Sequence, residues 1–183
     1  FELALAEQKM DEVITRLAQL IEEQTKIVEN LSKTNMPEMA MKERKQEQTF
    51  KKLEQVMEEA SNVMQELSPN AAQQLSDLKN SSITSNTFDD LQEARQSMQN
   101  NNQSNASTSA IAANNSLQEM LEIAESIQSD FQSDTVDEML RKFLALIKNL
   151  LFISQSQEEL FFASKDLRSR NPKILKIAIK QDR

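Results

Sequence analysis

The sequence predicts an all-α protein, an elongated antiparallel bundle of helical hairpins with coiled-coil-like packing. Three observations carry that prediction. Gly is absent and Pro occurs only three times. Gln, Glu, Leu, Ala, Lys and Met, all good helix formers, dominate the composition. Apolar residues recur three and four apart along most of the chain, the spacing of one helix face. Tight β-hairpins need Gly or Asn at positive φ, and several would be needed in a β-rich domain.

The same composition excludes chemistry. Without Gly there is neither a dinucleotide fingerprint nor a phosphate-cradling loop, since both need backbone to approach phosphate with no Cβ in the way. Without His or Cys there is no usual zinc site, no cysteine nucleophile and no histidine base. A net charge of −8 argues against nucleic acid as partner, because phosphate binding wants clustered Lys and Arg. A basic exception closes the chain, "KDLRSRNPKILKIAIKQDR". It reads first as a solvated helix face and second as a contact for anionic lipid or an acidic partner.

The first helix is expected over 2–33, with Met10, Val13, Ile14, Leu17, Leu20, Ile21, Ile27, Val28 and Leu31 in a stripe that Gln24 interrupts. "KTNMPEM" should end it, with Asn35 as a cap and Pro37 in the first turn of a helix over 37–67. The second half of that helix repeats regularly through Phe50, Leu53, Met57, Ala60, Met64 and Leu67. Its first half, "EMAMKERKQEQTF", is polar and is expected to protrude or fray. Ser68 and Pro69 start a short helix over 69–80. "NSSITSN" reads as a loop, and Thr87 with Asp90 as a capping box opening a helix over 87–100.

"QNNNQSNASTSAIAANN", residues 99–115, looks like a flexible spacer. The next helix has apolar positions at Leu117, Met120, Leu121, Ala124, Ile127 and Phe131. Carried backward, their spacing lands on Ala113, Ala110 and Ala106, so only about 100–104 should be turn and the helix should run over 104–132. "TVDE", Thr135 to Glu138, reads as a capping box for a helix over 136–168. Its apolar arc at 143–153 is too wide for one partner, which predicts a buried helix at the centre of the bundle. Asn171-Pro172 would start a last helix over 172–183. The chain thus reads as a single helical domain over 1–183. It opens on Phe and stops in mid-pattern, as expected for a piece of a longer protein.

Candidate sites are few. Paired carboxylates occur at Glu22-Glu23, Glu58-Glu59, Asp89-Asp90, Glu158-Glu159 and at Glu119 with Glu122. They lie on polar faces, and di-iron bundles pair such carboxylates with His, so solvated surface is the reading. Gln155, Gln157 and Glu158 beside the 143–153 stripe read either as a buried register-fixing layer or as an exposed face. Met36, Met39 and Met41 precede a charged run and have no stripe to join; they read first as loose packing at a helix start and second as a protein-contact surface. No catalytic residue, metal or cofactor is expected.

"LFISQSQEEL" followed by "RSRNPKILKIAIKQDR", together with "LSPNAAQQLSDLKN" and "LQEARQSMQNNN", resembles the helical body of a bacterial family of long membrane-anchored proteins of unknown function, of Bacteroidetes and proteobacterial type. The resemblance covers residues 37–183. It implies a cell-envelope location, on the periplasmic side of an inner-membrane protein, with a membrane anchor outside this segment. The function expected is a non-enzymatic structural or protein-interaction segment, with a protein partner or self-association. The alternative is a cytosolic or phage- or secretion-type coiled-coil assembly module.

Overall fold

A computed structural model describes residues 2–32 and 35–165. Five helices follow one another: α1 (Glu2–Asn30), α2 (Met36–Met64), α3 (Pro69–Lys79), α4 (Ser82–Gln99) and α5 (Gln103–Lys165). No strand occurs among the described residues. The chain divides into two units, Phe1–Thr135 and Val136–Arg183, where the sequence suggested one domain. The basic end and the helix expected over 172–183 lie outside the described residues.

The first unit is an all-α helical bundle with four antiparallel legs, as its cross-helix contacts show. Lys9 meets Glu59, Gln24 meets Glu43, and Gln46 reaches the carbonyl of Leu20, so α1 and α2 run in opposite directions. Ser61 donates to the carbonyl of Ala72, and Phe50 stacks on Phe88 with ring centroids 6.3 Å apart, so α3 and α4 both run against α2. Asp134, Asp130 and Met120 of α5 meet Ser68, Gln74 and Thr84 in turn. That steady register through α3 and α4 makes them one broken leg. The first part of α5 is the fourth.

The expected stripes form the core of this unit. Met10, Leu17, Phe50, Leu53, Met57, Leu75, Leu91, Leu117 and Met120 are all fully buried in one cluster. A second cluster at the other end joins Ile27, Leu31, Met39, Ala94, Met98, Ala106 and Ala110. Ala106, Ala110 and Ala113 of the apparent spacer are at 0% exposure, which places it inside α5 and against neighbouring helices.

The turns are made without Gly. At the end of α4 the N–H of Asn102 reaches the carbonyl of Ser97 at 2.8 Å and the N–H of Asn101 that of Met98 at 3.1 Å. This is a Schellman motif, and its left-handed position is filled by Asn101 at φ 55. Asn102 then accepts from the N–H of Asn105 at 3.2 Å and so caps α5. Three consecutive asparagines thus close one helix and open the next. Ser68 accepts from the N–H of Ala71 and caps α3. Asn35 precedes α2 without a side-chain cap bond, and its carbonyl takes the N–H groups of Glu38 and Met39 instead.

Three expectations about elements need correction. First, α4 starts at Ser82, capped by Ser81, and not at Thr87. Thr87 lies within the helix, buried, with its hydroxyl donating to the carbonyl of Ile83 at 2.7 Å. Thr84 is buried likewise and donates to the carbonyl of Leu78 at 2.7 Å. With their hydroxyls satisfied, both threonines extend the apolar stripe backward. Second, the helix expected over 104–132 and the described part of the one expected over 136–168 are one continuous helix. The Thr135 hydroxyl donates back to the carbonyls of Phe131 and Gln132, so it is no cap, and neither Pro nor Gly interrupts the run. Third, the first half of α2 is packed against its neighbours, with Met39, Ala40, Glu43 and Gln46 buried.

Two stability predictions follow from this packing. Leu17→Ala and Phe50→Ala should each cost about 2–5 kcal/mol in urea unfolding, as for buried large-to-small changes. Asn101→Ala should cost about 1–2 kcal/mol because Ala resists the left-handed region, while Asn101→Gly should stay within about 0.5 kcal/mol. Equal losses for the two Asn101 variants would show that the αL turn is not what matters there.

Candidate functional site

The methionines singled out from the sequence separate. Met39 is 1% exposed and belongs to the second core cluster. Met36 is half-buried against the same cluster. Met41 is 75% exposed. Met39 is therefore not available as a contact surface. The reason is that Glu43 and Gln46, the polar residues next to it in the pattern, are themselves buried and carry that face of α2 into the bundle.

Among the described residues the carboxylates gather nowhere into a site. Glu22, Glu23, Glu58, Glu59, Asp89, Glu119, Glu122, Glu158 and Glu159 are exposed. Asp90 is half-buried, and burial pushes its carboxyl up, with Glu93 and Asp89 adding to the effect. Among the described residues there is no group of three potential metal ligands. Several acids are spent on lysines and arginines. Glu12 takes Arg16 at 2.6 Å and Lys9 at 3.3 Å, and Lys26 lies between Glu22 and Glu23. These pairs are solvated and contribute little each.

The buried polar layer expected near Gln155, Gln157 and Glu158 is not there, since all three are exposed. One exists between α1 and α2 instead. Gln24, at 0% exposure, donates from Nε2 to Glu43 Oε1 at 2.9 Å and to the Ala110 carbonyl at 3.4 Å. Gln46 donates to the Leu20 carbonyl at 2.9 Å one turn away. Desolvation by burial pushes the Glu43 carboxyl up to about 8, and the negative charge of Glu47 adds to the push. The sequence signal for this layer was Gln24 itself, the polar residue interrupting an apolar stripe.

The second unit supplies the largest anomaly. The residues expected at the centre of the bundle are on the outside. Phe143 is 60% exposed, Leu150 65%, Leu151 64% and Phe152 70%, and Ile147, the most covered, is still 38%. Among the described residues, thirteen of the fifteen exposed large apolar side chains lie between Val136 and Phe162. They point in several directions, because Leu150 and Phe152, two apart, lie on nearly opposite sides of a helix with 3.6 residues per turn. Phe161 and Phe162 pack edge to face at 5.8 Å and stay largely exposed. Asp137, Glu138, Glu158 and Glu159 are balanced one for one by Arg141, Lys142, Lys148 and Lys165. No helix among the described residues is long and apolar enough to cross a membrane.

No protein-family model, no characterised protein and no solved structure matches this chain.

A shallow groove at the α3–α4 break is lined by Leu78, Ile83, Ile123 and Ile127 and rimmed by Asp77 and Asp130. It offers no converging set of polar groups that would fix a small ligand. The apolar stretch of α5 is the better candidate. If it is outside the folded core, Phe143→Ala and Ile147→Ala should change the stability of the bundle by no more than about 0.5 kcal/mol. The same urea melts that report Leu17→Ala will check this, and a loss of several kcal/mol at position 143 would restore it to a core.

Proposed function

We propose that this chain is a non-enzymatic helical segment that works by protein contact, and that the contact is made by the apolar part of α5 from Val136 to Phe162. One observation carries the reading: the large apolar residues of this stretch are exposed on more than one side of a helix. Contiguous exposed apolar surface beyond a few hundred Å² marks an interaction site in soluble proteins. A helix apolar nearly all round is one that other helices cover. The balanced charges leave apolar burial as the attraction, worth about 25 cal/mol for each Å² removed from water. The bundle of residues 2–135 then serves as a scaffold and has no apolar stretch of this kind. On the resemblance to long membrane-anchored bacterial proteins, the contact would be made in a cell envelope, within a longer anchored chain.

A photo-cross-linking residue placed at 144 or 151 should capture a protein in cells, either a second copy or a different chain, while one at the exposed bundle position 52 should not. The double change Leu144→Glu with Leu151→Glu should abolish the captured complex and lower the sedimentation coefficient of the native assembly. Capture from position 41 with none from 144 or 151 would move the contact surface back to the start of α2.

A further inference from the structure

The buried Gln24–Glu43 pair is incomplete as an ionised pair. Gln24 has spent both amide hydrogens, one on Glu43 Oε1 and one on the Ala110 carbonyl. Among the described residues, two buried oxygens remain without a protein partner, Gln24 Oε1 and Glu43 Oε2. Both are acceptors if Glu43 is a carboxylate, so neither can serve the other. Leaving two such buried atoms without a protein partner is costly, because each gives up the hydrogen bonds that water makes to it in the unfolded chain. A single proton removes both deficits. Bound to Glu43 Oε2, it makes a donor, and the unpaired acceptor on the same two side chains is Gln24 Oε1.

We propose that Glu43 is protonated in the folded protein and donates from Oε2 to Gln24 Oε1, closing an acid–amide pair of two hydrogen bonds that latches α1 to α2 and, through the Ala110 carbonyl, to α5. The surroundings favour the neutral acid. From α1, Gln24 presents an uncharged amide between the buried Leu20 and Ile27; its N–H bond to Oε1 favours the carboxylate, but burial outweighs it. From α5, the neighbours are Ala106, Ala110 and Ala113, all at 0% exposure and without charge. From α2 itself, Glu47 adds a like charge. From α4, the guanidinium of Arg95 is held by Glu47 and Gln99. Among the described residues, no cation contributes to the Glu43 shift.

The latch lies at the end of the bundle held by the smaller of the two core clusters, in which Ala40, Ala94, Ala106 and Ala110, which bury little area apiece, stand beside Ile27, Leu31, Met39 and Met98. Loss of the proton therefore opens this end first, in the manner of a local unfolding unit. The direction is fixed by the shift. Glu43 holds its proton up to about 8 when folded, against 4.5 for the free side chain. The folded chain thus binds a proton that the unfolded chain has lost, so the latch contributes fully below about 4.5 and is lost as pH rises to about 8. Acid-side losses have another source. Arg16 holds Glu12, and Lys26 holds Glu23, below the usual carboxylate range, so those pairs weaken as pH falls.

The test compares the full chain with Glu43→Gln, whose amide is neutral at every pH and keeps an N–H to offer Gln24. Urea unfolding is followed between pH 5 and pH 9. The unfolding constant of the native sequence should rise relative to that of the variant by roughly tenfold per pH unit between about 5.5 and 7.5, one proton's worth. Parallel profiles for the two chains would overturn the proposal. A readout on the native sequence covers the case in which the variant fails to fold. The side-chain carboxyl ¹³C resonance of Glu43 should be that of a protonated acid at pH 6 and should titrate near pH 8. A carboxylate resonance at pH 6 would overturn it equally.

Discussion

The register of α1 against α2 is the constraint on which the rest of the bundle depends. Apolar stripes of Leu, Met, Val and Ala are self-similar every seven residues, so one helix can slide along the other by a heptad and still bury area. Polar groups cannot slide. Gln24 must meet Glu43, and Gln46 must meet the Leu20 carbonyl, or four buried groups lose their partners. A buried polar residue in an apolar seam is the best-attested way to fix such a register. Once α1 and α2 are fixed, the Ala110 carbonyl at the same layer positions α5. Phe50 against Phe88, with the ammonium of Lys51 4.8 Å above the Phe88 ring, does the same for α4.

A bundle without glycine must turn its corners by other means, and here hydroxyls and amides take over. Asn101 supplies the left-handed position, which Asn tolerates better than other residues with a Cβ. Asn102, Ser68 and Ser81 supply caps. Ser81 also ties the α3–α4 break together, donating to the Leu78 carbonyl while accepting from the N–H of Thr84. The break costs little because α3 and α4 keep one line against α5 on both sides of it.

The sequence made most of the first unit legible because its stripes are long and their period is unambiguous. Even the Asn- and Ser-rich stretch yielded to the spacing of Ala106, Ala110 and Ala113. What misled was local chemistry with two uses. Thr87 before Asp90, and Thr135 before Glu138, have the composition of capping boxes. A threonine hydroxyl can equally bond back to its own helix, and in both places it does. Similarly, "KERKQEQ" reads as a solvated run, yet Glu43 and Gln46 are buried because each has a specific partner across the interface. Polarity alone could not have shown that, and Met39 was misplaced with them.

The 143–153 stretch shows a different limit. Its apolar arc was read as needing more than one neighbour, and periodicity does not say whether such neighbours belong to the same chain. The first unit completes its bundle with the residues of α5 up to Thr135, so four legs already cover one another and no leg is wanting. The helix then continues with side chains suited to an interior and, among the described residues, with nothing over them. Charge sharpens the division. The whole acidic excess of the chain lies in residues 1–135, whereas Val136–Lys165 is balanced. Net charge keeps proteins apart in solution, and its absence from one stretch lets apolar surfaces meet there without repulsion. An acidic bundle that is complete in itself and a neutral helix that is not complete are two different folding problems within one chain. On the function proposed above, the second is solved by association.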